Sequence, residues 1–202
     1  MARTASLTLA LSCAAVVAYL GYRALLPTPA ATPATPEIVA ASEPVESLPE
    51  FTLQDVAGGA RSIQSWPGNA LVINFWATWC APCLREIPLL KEFQAAHAEQ
   101  SVQVIGIAVD RLEPVKEFAA GMDFNYPILV GQSDAMNAAA AFGVDFFALP
   151  FTVFTDTAGS ILGVHTGEVH PEDLQNLSQV LADLAGGTTD LADARARLAG
   201  RR

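Results

Sequence analysis

Cys80 and Cys83, in the run Trp79-Cys80-Ala81-Pro82-Cys83, carry the strongest chemical signal in this 202-residue chain. Two cysteines three apart in the first turn of a helix lie close enough to close a small disulfide ring. The unpaired N–H groups and the dipole at a helix start favour the thiolate, which is the reactive form. Thiol–disulfide exchange needs this arrangement: one accessible sulfur that attacks and a second that resolves the mixed disulfide. Cys80 lies nearer the helix start and is the expected nucleophile; Cys83 is the expected resolving thiol. Three residues beyond Cys83, one helical turn along the same face, stands Glu86. A carboxylate partly buried there would have a raised pKa and could move the thiol proton. The plainer role for Glu86 is to complement the early helix dipole in solvent.

The elements that must hold these residues are legible on either side. Ala70 to Ala77 is short, apolar and continuous, as a buried strand is. Residues 81–99 are rich in helix formers, with Leu84, Ile87, Leu90 and Phe93 at near-helical spacing. Val102 to Val109 is a second buried strand. Phe51 to Val56 and Ala60 to Ile63 flank the turn Ala57-Gly58-Gly59 as an N-terminal hairpin. Helices are expected from about Pro114 to Ala120 and from Ala135 to Phe142, with a short extended piece, Ile128 to Val130, between them. Phe151–Thr155 and Ile161–Thr166 form a hairpin around Thr157-Ala158-Gly159. The last strong helix begins at Pro171 with acids behind it and shows the stripe Leu174, Leu177, Val180, Leu181 and Leu184. Helices alternating with apolar strands predict an α/β domain with a mostly parallel core and an antiparallel hairpin at one side, a mixed central sheet flanked by helices.

Around this domain, at 49–186, the chain divides further. The first 26 residues hold no acid and two basic residues, Arg3 and Arg23, around an apolar run from Ala5 to Tyr22. That length suits a minimal membrane span. A retained inner-membrane anchor is the expectation, with the domain outside in the periplasm. Signal cleavage, releasing a secreted periplasmic protein, is the alternative. A lipoprotein reading would use Cys13, but the residues before it fit that signal poorly. Residues 27–48 are rich in Pro, Ala and Thr and read as a linker. Extended, it would reach roughly 65 Å. Residues 187–202 are expected to be a flexible tail, weakly helical or disordered.

The 202 residues carry a formal net charge of −10, which argues against nucleic acid as a partner. Beyond Cys13 there are only Cys80 and Cys83, so no disulfide framework exists. Behind a secretory anchor, a lone C-x-x-C reads as a working redox pair. A zinc site would need four ligands, and His97, His165 and His170 do not supply the missing ones at short spacing.

A strand, W-C-x-x-C, a helix carrying Pro88, and a late Leu149-Pro150 before a hairpin together resemble thioredoxin. With the anchor and the helical insertion before Leu149-Pro150, the chain most resembles the TlpA/ResA-type thiol–disulfide oxidoreductases over roughly residues 48–186. The resemblance implies the thioredoxin fold, a cis peptide at Pro150 facing the cysteine pair, and a kinking role for Pro88. It implies a client-binding surface that includes Trp79, Pro82 and Leu149. Thioredoxin has a buried aspartate six residues before the first cysteine; this chain has Asn74, which cannot take a proton. ResA-type members resemble this chain in having a glutamate at the place of Glu86. Trp76 is as readily core as contact surface, and Trp66, Phe146, Phe147, Phe151 and Phe154 read as packing.

The resemblance further implies a monomer with no bound cofactor that reduces selected protein disulfides. Apocytochrome c cysteines are the first substrate class and copper-site cysteines the second, with a membrane electron donor for re-reduction. Two other readings are a peroxiredoxin-like peroxide reductase and a non-catalytic assembly factor. The residues before Cys80 lack the proline of the first, and the intact cysteines and Leu149-Pro150 speak against the second.

Overall fold

The computed structural model describes residues 45–144 and 148–199. The anchor expected at 5–22, nearly all of the linker, and Phe146 and Phe147 lie outside the described residues. Among the described residues no helix is long and apolar enough to cross a membrane.

The elements in chain order are β1 (Thr52–Asp55), β2 (Ala60–Ser62), a 3-10 turn (Ile63–Ser65), β3 (Ala70–Trp76), α1 (Ala81–Ala96), β4 (Val102–Val109) and α2 (Leu112–Met122). They continue with β5 (Ile128–Gly131), α3 (Ser133–Ala141), β6 (Phe151–Thr155), β7 (Ile161–Thr166), α4 (Pro171–Ala185) and α5 (Leu191–Ala199). Seven strands make one mixed sheet in the order β2-β1-β5-β4-β3-β6-β7. The strands β3, β4 and β5 run parallel. Antiparallel pairs extend the sheet on both sides, β1 and β2 beyond β5, and β6 and β7 beyond β3.

All seven residues of β3 are buried, as a strand covered on both faces requires. Alternation sends Val72 and Trp76 into one core layer with Cys83, Ile87 and Leu90 of α1. Leu71, Ile73 and Phe75 enter the other layer with Ala135, Ala138 and Ala139 of α3. Asn74 belongs by that alternation to the α1 face, a polar group in an apolar row. Pro88 lies within α1 without ending it, on the exposed side.

The C-terminal residues correct one expectation. Within the tail expected to be weakly helical or disordered, Leu191–Ala199 is a packed helix whose Ala194 is fully buried. Arg195 Nε donates to the Ile161 carbonyl at 2.9 Å, and Arg197 Nη1 meets Asp183 Oδ2 at 2.7 Å. Leu191, Ala194 and Leu198 do fall at helical spacing, but the stripe is short and set among arginines, so it reads weakly in the sequence.

One polar side chain fastens α1 to the sheet. β5 pairs with β4 only from Gly106 onward, and short of that point Gln94 Oε1 accepts the Val104 N–H at 2.6 Å and Gln103 Nε2 at 2.9 Å. Replacing Gln94 with leucine fills the space but strands the buried Val104 N–H, a loss of about 1–3 kcal/mol. Gln94→Leu should therefore lower the urea midpoint of the oxidised protein. An unchanged midpoint at equal slope would show that the bond contributes nothing to fastening α1.

Candidate active site

Trp76 ends β3, and four residues later Cys80 stands at the N-cap of α1 in extended geometry, φ −92° and ψ 98°. No side chain caps this helix start, and Pro82 occupies its first turn. The first-turn N–H groups are thus left for whatever charge develops on the sulfur. Cys80 and Cys83 are joined as a disulfide with Cα atoms 5.3 Å apart. Cys80 retains 6% exposure and Cys83 none, so the expected asymmetry between the two sulfurs is present. Beside them Trp79 is 69% exposed, an unusual position for so large an apolar ring. Pro82 is half-buried.

The loop before Cys80 is held by a residue the sequence reading missed. Thr78 donates both its N–H, at 3.2 Å, and its hydroxyl to Asp110 Oδ2 at the end of β4. Asp110 Oδ1 accepts from the Arg111 N–H at 2.8 Å. An acid directly after a buried parallel strand was the available signal, because such strand ends gather at the site edge.

The Leu149–Pro150 peptide is cis. The register Phe75↔Phe151 between β3 and β6, continued by one residue, sets Pro150 beside Trp76 at the end of the sheet that leads to Cys80. Pro150 is buried and Leu149 half-buried. Trp76 is core, packed against Phe118 and Phe124.

Glu86 is 1% exposed and faces inward with Cys83, Ile87 and Leu90. Its Oε1 accepts from Asn74 Nδ2 at 2.7 Å and its Oε2 from the Val169 N–H at 2.6 Å. Asn74 Nδ2 also donates to Thr152 Oγ1 at 3.0 Å, and Thr152 faces Asn74 directly across the β3–β6 pair. Asn74 Oδ1 has no hydrogen-bond partner among the described residues. Burial pushes the Glu86 carboxyl up from 4.5 to about 7. The Val169 and Asn74 donors oppose that rise, the charge of Glu168 adds to it, and His170 works against it. Helix-surface solvation, the plainer role for Glu86, does not describe this position. Val169 and Thr152 were invisible to sequence reasoning, since one contributes only its backbone and the other meets Asn74 only through strand pairing.

Among the described residues no three His, Cys, Asp or Glu side chains are grouped to hold a metal ion. The arrangement offers a shielded disulfide, an exposed aromatic beside its outer sulfur, and a buried carboxyl that gains or loses a proton near neutral pH.

The buried carboxyl also makes stability depend on pH. A carboxyl raised from 4.5 to about 7 on folding favours the native state most below pH 4.5, and that advantage is lost as pH climbs through about 7. The swing is roughly 3 kcal/mol at most. Urea unfolding of the oxidised protein should show the parent losing stability relative to Glu86→Gln between pH 4.5 and 8. Parallel curves would mean that Glu86 titrates as an ordinary surface acid.

The redoxin family model matches residues 44–181. The chain is 32% identical over 132 residues to the thiol-disulfide oxidoreductase ResA of Geobacillus thermodenitrificans, covering 64% of this chain and 72% of that protein. It is 29% identical to the thioredoxin-like protein YneN of Bacillus subtilis, over 64% of this chain and 75% of the relative. A thiol:disulfide interchange protein from Chlorobium tepidum superposes with a TM-score of 0.61 at 28% identity, covering 67% of this chain and 95% of the other.

Proposed function

Because the chain belongs to the redoxin family, as a ResA-type thiol–disulfide oxidoreductase of thioredoxin fold, we propose that it reduces selected protein disulfides through Cys80 and Cys83, with Glu86 as the proton carrier. The observation that carries this reading is the pairing of the less buried Cys80 at an uncapped helix start with a fully buried Cys83 one turn from a buried carboxyl.

The cycle follows from those positions. In the dithiol form the Cys80 thiolate attacks a client disulfide, joins one client sulfur and expels the other as a thiolate. Glu86 takes the proton from Cys83, whose thiolate then attacks Cys80 and expels the remaining client sulfur. The client leaves as a dithiol, and the enzyme is left with the Cys80–Cys83 disulfide. A carboxyl with a pKa of about 7 is divided between its two forms at neutral pH, which suits a group that must both accept and return a proton. A membrane dithiol donor restores the reduced pair. An extended client chain lies along Leu149-Pro150, with its apolar side chains against Trp79 and Pro82.

The finer assignment is a domain tethered to the inner membrane by residues 5–22 and facing the periplasm, acting on the haem-binding cysteines of apocytochrome c. Copper-site cysteines of respiratory oxidases are the second client class. The apolar run and the Pro-rich linker after it support the tether, and the names of the ResA relatives, thiol-disulfide oxidoreductases, support the exchange chemistry.

A trapping experiment separates the two sulfurs. Cys83→Ser should accumulate mixed disulfides with client proteins in an extracytoplasmic extract, whereas Cys80→Ser should accumulate none. Equal trapping by both variants, or none by either, would reverse or remove the assigned roles. Fractionation addresses the tether: the intact chain should stay with membranes through a high-salt wash. Recovery of the full-length mature protein in the soluble fraction would favour signal cleavage.

A further inference from the structure

The four-residue connection from β7 to α4, Gly167-Glu168-Val169-His170, bonds to both Pro150 and Glu86. Gly167 N–H donates to the Pro150 carbonyl at 2.9 Å. Val169 N–H donates to Glu86 Oε2 at 2.6 Å. Between them the Glu168 carboxylate grips the guanidinium of Arg85, the residue preceding Glu86, with Nε at 3.2 and 3.1 Å from the two oxygens and Nη2 on Oε2. The loop is further tied by His165 Nε2 to the Glu168 carbonyl at 3.1 Å and by the His170 N–H to Asp173 Oδ2 at 2.9 Å.

We infer that this loop is a positioning element of the exchange site, and that Arg85 and Glu168 are the positioning residues that set its reach and its charge at Glu86. The inference deepens the proposed function and rests on its assignment of Glu86. An exposed ion pair contributes little to stability, but this one joins the helix that carries Cys83 and Glu86 to the loop that supplies one of the two hydrogen bonds received by the carboxyl. It also neutralises a negative charge that acts on Glu86. The groups facing Glu86 are few: Glu168 and His170 on the loop, the Tyr126 phenol ahead of β5, and uncharged Asn74 on β3. Among these and Arg85, the Arg85–Glu168 pair alone is a contact between opposite fixed charges.

The two members of the pair should act on Glu86 in opposite directions. Arg85→Met leaves the Glu168 charge unneutralised and loosens the Val169 N–H, and both effects favour the protonated carboxyl. Glu168→Gln keeps an acceptor for Arg85, removes the negative charge and leaves the guanidinium positive, which favours the carboxylate. The test is a ¹³C NMR titration of the Glu86 side-chain carboxyl in the full-length oxidised protein, the resonance being assigned by its loss in Glu86→Gln. The midpoint should rise by about half a pH unit in Arg85→Met and fall by about as much in Glu168→Gln, by the Coulomb energy of a unit charge several ångströms away in a partly screened setting. Displacements in opposite directions support the inference, because general loosening of the fold would move both variants the same way. Movement in one direction for both, or no movement in either, overturns it. The titration uses neither client nor electron donor, so it stands apart from the catalytic reading. That reading is judged separately by the pH midpoint of mixed-disulfide resolution. If the rate does not follow the NMR midpoint in these variants, the shuttle role of Glu86 fails while the effect of the loop on its carboxyl remains.

Discussion

Helix α1 lies on β3 with Cys83, Glu86, Ile87 and Leu90 all turned into the sheet, so a carboxyl group is carried inward along with the aliphatic side chains. Burying such a group is costly unless it is hydrogen-bonded or neutralised. The fold meets that demand twice. It supplies donors from Asn74 and Val169, and the residual cost lifts the carboxyl to about 7, where a proton neutralises it within the physiological range. The same packing that encloses Cys83 therefore also encloses, one helical turn along, a carboxyl raised to about 7.

The rest of the domain can be understood as support for that contact. β3 sits between β4 and β6, and β6 brings Thr152 and Pro150 to the two levels of β3 that matter, beside Asn74 and Trp76. At the far end of α1, Gln94 binds the edge of β4 where β5 stops short. At the near end, Asp110 holds Thr78 and with it the approach to Cys80. The helix is thus fastened at both ends and along its buried face. Around the cysteine pair Trp79 is left exposed, and Pro82 and Leu149 are left half-buried.

Arg85 and Glu168 illustrate why a surface ion pair can matter without stabilising much. Its exposure limits its contribution to folding. Its location next to Glu86 in sequence and next to Val169 in the loop gives it leverage on a proton instead. Charge near a group that titrates at about 7 changes the populations of both forms at neutral pH, whereas the same charge near an ordinary carboxyl would change nothing measurable there.

Local chemistry was legible in the sequence, and geometry between distant segments was not. The pair Cys80 and Cys83, their place at a helix start, the buried β3 and β4 and the hairpins all follow from neighbours in the chain, where periodicity and turn chemistry act directly, whereas the cis step at Leu149-Pro150 was implied only by the family resemblance. Glu86 could be placed on the face of Cys83 by helical spacing alone. That it would be fully enclosed depended on Asn74, Thr152 and the Val169 N–H, groups up to 83 residues away from it. The helix at 191–199 read only as weakly helical or disordered for a related reason, since much of its hold comes from two arginines bonded to the distant Ile161 and Asp183. A sequence displays which side chains are apolar and how they repeat. Which backbone N–H will meet a given carboxylate is settled only when strands pair and loops close, because that donor belongs to every residue alike and carries no mark in the sequence.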